Sequence, residues 1–167
     1  KNVHGKEDTL ITIQIDFQLA ERFGMTYVDA EGQTKYPYVI HRTSIGCYER
    51  TLALLLEKYA GALPTWLMPE QVRVLPISDR LIDDAKKVEE QLSRAGIRVS
   101  CDTRSEKVGY KIREAQLEKI PYMLVIGDKE VEEGTVSVRS RKEGDLGSMP
   151  VESFLSKILQ EIATKAK

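Results

Sequence analysis

Residues 37–59, PYVIHRTSIGCYERTLALLLEKY, set the reading of the whole chain. The stretch opens as a strand-like apolar run, Tyr38-Val39-Ile40, passes His41 and Arg42, and turns at Ser44-Ile45-Gly46. It then becomes a helix with almost no polar face, because Leu52, Ala53, Leu54, Leu55 and Leu56 are consecutive. A helix that is apolar all round has to be covered on nearly all sides. Yet Glu49 and Arg50 stand in its first turns, and unpaired charge is expensive to bury. Either the pair simply reaches solvent at the helix mouth, or Arg50 is aimed at an anion such as a phosphate.

Toward the N-terminus, Leu10 to Phe17 (LITIQIDF) sets Ile11, Ile13 and Ile15 against Thr12, Gln14 and Asp16. That alternation predicts a half-buried strand with one polar face. Residues 5 to 8 read as a turn. Tyr27-Val28-Asp29 and Tyr36 to Ile40 read as a further strand pair, joined by a hairpin at Ala30-Glu31-Gly32. An antiparallel sheet thus feeds the helix at 47–59. The chain opens at Lys1 in the middle of what reads as a sheet, which points to a piece of a longer protein.

Toward the C-terminus, Pro64 and Pro69 bracket Trp66. Proline ends helices and biases the preceding residue to extended geometry. A domain boundary is placed here, giving segments 1–66 and 67–167. From Val72 onward strands and helices alternate. Val72 to Ile77 is a strand, and Ser78 or Asp79 is positioned to cap the next helix. That helix carries Leu81, Ala85, Val88, Leu92 and Ala95 on one stripe and ends at Gly96. Ile97, Val99 and Cys101 alternate as a second strand. Val108, Ile112 and Ala115 line a second helix, Tyr122 to Ile126 form a third strand, and Thr135 to Ser140 alternates again. Pro150 opens a last helix with Val151, Phe154, Leu155, Ile158, Leu159 and Ile162 on one face. The order argues for a mainly parallel sheet with right-handed crossovers.

Composition limits the function classes. Apolar residues make up 41% of the 167 residues and charged residues 31%, the balance of an ordinary globular protein. No apolar run approaches the roughly 18 residues of a membrane span, and no signal peptide leads the chain. Cys47 and Cys101 lie far apart with no metal-type spacing and read as reduced thiols, so the expected location is the cytoplasm. The net charge is −1, so any nucleic-acid site has to be a local patch. Two such patches stand out. Arg104, Lys107 and Lys111 fall on one face of a helix start. Arg139 and Arg141 share the polar side of a strand with Thr135 and Ser137.

The pattern His41-Arg42, Gly46, Glu49-Arg50 and a leucine-rich helix resembles motif 3 of class II aminoacyl-tRNA synthetases. Ile40-His41-Arg42 makes it similar to the threonyl group of that class. GIRVSCDTRSEKVGYKIREAQLEKIPYMLVIGDKE and TVSVRSR, downstream, resemble the anticodon-binding domain of the same group. The resemblance covers nearly the whole chain. It implies the end of a class II antiparallel catalytic sheet with the motif 3 helix, followed by a mixed, mainly parallel α/β anticodon-binding domain. Motifs 1 and 2 are expected upstream.

The resemblance also implies roles. Arg50 would meet the ATP phosphates, and Thr12 and Gln14 would face the adenylate, although Leu10-Ile11 stands where many relatives carry Cys-Gly. His41 would be one ligand of an active-site zinc whose other two protein ligands lie elsewhere. Ser105, Lys119, Glu130 and Arg139 would read the anticodon, with Ser105 where Asn is frequent and Lys119 where Arg is frequent. The parent enzyme would use zinc and Mg-ATP, take threonine and the threonine tRNA as substrates, and form a homodimer. This piece alone would bind no cofactor, be inactive and chiefly recognise the anticodon, without any membrane partner. Two rivals stand beside this reading. One is a prolyl, glycyl or histidyl enzyme of the same subgroup. The other is a non-catalytic synthetase-like tRNA-binding module.

Overall fold

The computed structural model describes residues 1–7 and 9–166; Asp8, in the expected turn at 5–8, and Lys167 lie outside the described residues. The chain divides into two compact units, Lys1–Ala60 and Gly61–Lys167.

In the first unit, strand β1 (Ile13–Asp16) leads into a single helical turn, α1 (Leu19–Arg22). Asp16 starts that turn, since its Oδ1 accepts from the N–H groups of Gln18 (2.9 Å) and Leu19 (2.8 Å). Strands β2 (Tyr27–Val28) and β3 (Thr34–Lys35) then form a hairpin. Asp29 closes it by accepting from the N–H groups of Glu31 and Gln33, and Gly32 takes a positive φ of 77°. The expected partner of Tyr27-Val28 was Tyr36 to Ile40, so the pairing is corrected. Strand β4 (Val39–Arg42) instead lies antiparallel to β1, with Gln14 opposite His41. The sheet-then-helix order is as expected, ending in helix α2 (Tyr48–Tyr59).

Gly46 sets the angle of entry to α2. Its φ is +79°, and a Cβ there would fall 2.0 Å from the Leu10 carbonyl oxygen, so only glycine fits. The expected cover of α2 is absent from this unit. None of its residues is buried, and Leu52 and Leu56 are 52% and 43% exposed. The apolar side of β1 is likewise open rather than half-buried, with Ile13 67% exposed. Two-stranded ribbons offer too little surface to bury either face.

The second unit holds a five-stranded sheet in the order β6-β5-β7-β8-β9. Its strands are β5 (Val72–Pro76), β6 (Val99–Cys101), β7 (Tyr122–Ile126), β8 (Thr135–Ser140) and β9 (Gly144–Pro150). Strands β6, β5 and β7 are parallel, and β8 and β9 are antiparallel additions. Helices α3 (Ile82–Arg94) and α4 (Val108–Leu117) make the crossovers, α5 (Asp128–Glu133) joins β7 to β8, and α6 (Val151–Ala163) follows Pro150. The core lies on one sheet face, where Val72, Val74, Leu124, Ile126, Val136 and Val138 meet Ala85 and Leu92 of α3 and Phe154 and Ile158 of α6.

Strand β9 and helix α5 were not expected from the sequence. The cap expected from Ser78 or Asp79 does not form, because a 3-10 turn over Asp79–Leu81 intervenes before α3. Gly96 ends α3 with φ +84° as expected. Residues 62–68 are tied into this unit. Arg141 donates to the Ala62 and Leu63 carbonyls, Arg98 to those of Trp66 and Met68, and Gln71 to that of Thr65. Among the described residues no helix is long and apolar enough to cross a membrane.

Candidate functional site

Alternation along β1 and β4 puts Thr12, Gln14, Asp16, His41 and Thr43 on one face of a ribbon. Three of the expected catalytic-half residues, Thr12, Gln14 and His41, are therefore neighbours. The Thr12 N–H donates to Thr43 Oγ1 at 3.1 Å, and His41 Nε2 lies 3.6 Å from Asp16 Oδ2. Backbone N–H groups of Gln18 and Leu19, then His41, hold the Asp16 carboxyl below its ordinary value. Asp16 and Thr43 were not singled out as site residues. The same period of two that groups Thr12 with Gln14 already placed Asp16 beside them.

Arg50, in the first turn of α2, donates from Nη1 to the Thr9 carbonyl at 3.1 Å. It borders a hollow of about 210 Å³ lined by Leu10, Ala53, Leu54 and Glu57. A guanidinium has five N–H donors, so this bond leaves others for an anion. Glu49 accepts from the Cys47 thiol at 2.8 Å rather than from Arg50, which keeps its carboxyl below the usual range. Among the described residues no three His, Cys, Asp or Glu side chains gather as metal ligands. His41 and Asp16 together fall short of the three protein ligands common for a catalytic zinc, so the donors present do not by themselves make that site.

In the second unit, Thr135, Ser137 and Arg139 point to the sheet face opposite the core, since Val136 and Val138 between them are buried. The β8–β9 register shifts between Val138 and Arg139, and a bulge at such a place re-aims the next side chain. Arg139 is half-buried, and its guanidinium has no hydrogen-bond or ion-pair partner among the described residues. Glu130 of α5 reaches back to accept from the Gly127 N–H at 3.0 Å, and Ser148 of β9 donates to its other oxygen at 3.4 Å. Ser148 lies opposite Ser137, so Glu130 and Arg139 share one polar face. A Cβ on Gly127 would come within 2.7 Å of Glu130 Oε2, so a side chain there would displace this carboxylate.

Ser105 and Lys119 lie beyond opposite ends of α4, a ten-residue helix about 15 Å long. Ser105 donates to Asp79 Oδ2 at 2.9 Å. Lys119 takes a left-handed backbone, φ 60°, and its carbonyl accepts from Arg141.

The basic patches change. Lys111 is not on an exposed face; it is 2% exposed and donates to the carbonyls of Pro76 (3.3 Å) and Asp102 (3.0 Å). Arg104 is spent on Asp102 and Glu114. Arg141 lies beyond β8 and bonds backbone carbonyls, so it does not share the polar face with Arg139. Lys107 stays exposed at the start of α4.

This geometry matches known proteins in both units. Residues 71–161 match the family model described as "Anticodon binding domain", and residues 2–59 match "tRNA synthetase class II core domain (G, H, P, S and T)". The class is thus a class II aminoacyl-tRNA synthetase core joined to an anticodon-binding domain. A threonine–tRNA ligase of Clostridium perfringens (strain SM101) is 64% identical over 165 residues, covering 99% of this chain and 26% of the relative. One from Clostridium botulinum (strain Eklund 17B) is 60% identical over 167 residues, with 26% of the relative covered. A crystal structure of the RNA binding domain of threonyl-tRNA synthetase from Cryptosporidium parvum superposes with a TM-score of 0.80 at 37% identity, covering 95% of this chain and 40% of that one. The chain belongs to the anticodon binding domain family over residues 71–161, and along nearly its whole length it is similar to threonine–tRNA ligases. It spans about a quarter of the length of the curated relatives it matches.

Proposed function

We propose that this chain is the C-terminal part of an enzyme that activates threonine with ATP and transfers it to the threonine tRNA. The unit Lys1–Ala60 would supply the end of the catalytic sheet, and the unit Gly61–Lys167 would read the anticodon. In the parent, a cytoplasmic homodimer, the threonine carboxylate attacks the α-phosphate of Mg-ATP and pyrophosphate leaves. Arg50 would then place fixed positive charge against the charge that develops on phosphate. Thr12 and Gln14 would line the adenylate, and His41 would supply one protein ligand of a zinc whose other protein ligands would come from elsewhere in the parent and whose open position would take the threonine amino and hydroxyl groups.

The observation that carries the RNA reading is Arg139. It is a half-buried arginine without a side-chain partner among the described residues, set on the same polar face as Glu130. Single-stranded anticodon bases expose donors and acceptors together. Arg139 offers donors and Glu130 an acceptor, with Ser105 and Lys119 at the two ends of α4 as further contacts. Lys107, still exposed, meets phosphate and positions the loop without reading it.

The two kinds of residue are expected to fail differently. Arg139→Ala costs about 1–3 kcal/mol with the threonine tRNA and narrows its lead over other tRNAs. Lys107→Ala weakens all tRNAs alike and lowers the salt slope by about 0.7, the value for one single-strand phosphate contact. Binding of cognate and non-cognate tRNA across a salt series measures both. An intact cognate preference in Arg139→Ala would move the reading site elsewhere.

A further inference from the structure

The loops that follow β5 and β6 meet at one hydrogen bond, from Ser105 Oγ to Asp79 Oδ2 at 2.9 Å. Both side chains are exposed, but the loops beneath them are fixed. The buried Lys111 ammonium ties the Pro76 carbonyl, at the end of β5, to the Asp102 carbonyl, just past β6. Asp102 is bonded in turn through its N–H to the Val74 carbonyl and through its carboxylate to Arg104. Arg80, next to Asp79, is engaged with Asp128 and does not compete for the Asp79 carboxylate.

A hydroxyl has one proton and two lone pairs, whereas a carboxylate only accepts. The Ser105 proton is therefore committed to Asp79, and the oxygen is left as an acceptor. We propose that Asp79 is a specificity-determining residue: it makes Ser105 an obligate acceptor that selects an N–H on a base edge, as guanine carries at N1 and uracil at N3. The proposal deepens the anticodon reading and rests on Ser105 facing the RNA. It predicts discrimination by polarity, because a base whose ring nitrogen is itself an acceptor would meet lone pair against lone pair.

The test uses the 167-residue chain and synthetic anticodon stem-loops, with binding followed by fluorescence anisotropy at fixed salt. The probes are the threonine anticodon and two single changes, guanine to adenine and uracil to cytosine. Each change replaces a ring N–H by an acceptor. In Asp79→Ala the Ser105 hydroxyl rotates freely and donates to the altered base. The penalty for one of the two changes is then expected to shrink about tenfold, the size of one hydrogen bond. Ser105→Ala is expected to shrink the same penalty. If Ser105→Ala shrinks a penalty and Asp79→Ala shrinks none, Ser105 reads without Asp79 and the proposal is overturned while the anticodon reading stands. If only Arg139→Ala shrinks a penalty, Ser105 is not a reading residue and the proposal again falls. If none of the three has an effect, the anticodon reading falls with it.

Discussion

The arginines of the second unit differ in what each guanidinium meets. Arg73 lies between Glu70 and Glu118, bonded to each at 2.6 Å, and those bonds hold its protonated form above the ordinary range. Arg98 and Arg141 bind backbone carbonyls, which fastens loops. Arg104 grips Asp102 and Glu114. Arg139 has no such partner among the described residues. Asp102 itself is buried, and its carboxyl sits below the usual range chiefly because Arg104 donates to it. A carboxyl depressed in the folded state stabilises the fold above its unfolded pKa, near 3.8, and loses that contribution as pH falls through the folded value. Asp102→Asn is therefore expected to lower stability at pH 7 by about 1–3 kcal/mol, the scale of charged hydrogen bonds. It should also flatten the fall in stability below pH 4. Thermal melts of both proteins from pH 2 to 7 measure this, and parallel curves would count against it.

Elements with a clear period were readable in advance. The stripes on α3 and α6, the alternation of β8 and the apolar run of β7 each stood in the sequence and each formed. Strand β9 was hidden because GDLGSMP has no alternation, and its Gly144 and Gly147 take positive φ inside the strand. Helix α5 is six residues, too short for a period to show. The hairpin at Gly32 was recognised by its turn, but its arms are only two residues each, and the sequence marked longer ones. Lys111 shows the limit for sites. Spacing put it on a face with Arg104 and Lys107 but said nothing of the strand ends beneath which that face tucks. The residues proposed to read the anticodon came from the family resemblance alone, except that alternation already put Arg139 on the polar side of β8. Asp79 entered the sequence reading only as a cap. The bond it makes instead joins loops distant in the chain, which no local pattern reveals.

The two units bury very different amounts of their apolar surface. The second has a continuous core including Phe154, Leu92 and Leu124, all at 0% exposure, whereas Ala20 is the one buried residue among those described in the first. Local stability follows buried contact, so amides of β5, β7 and β8 are expected to exchange only on global opening, and those of residues 1–60 much sooner. Native-state hydrogen exchange on the monomeric chain tests this; equal protection in both units would refute it.

The strand order of the second unit also dictates a sequence of events in time. Ser140 lies against Gly144, so β8 and β9 are joined by a short turn and can zip together within about 1–10 μs. Val72 of the central strand lies against Val99 on one side and Tyr122 on the other, so β5 must wait until two long crossovers have closed. The part of the sheet that carries Arg139 is thus expected to acquire its shape first, with the centre that supports it arriving last. Pulsed hydrogen exchange during refolding would show β8 and β9 protected before β5, and simultaneous protection of all five strands would rule that order out.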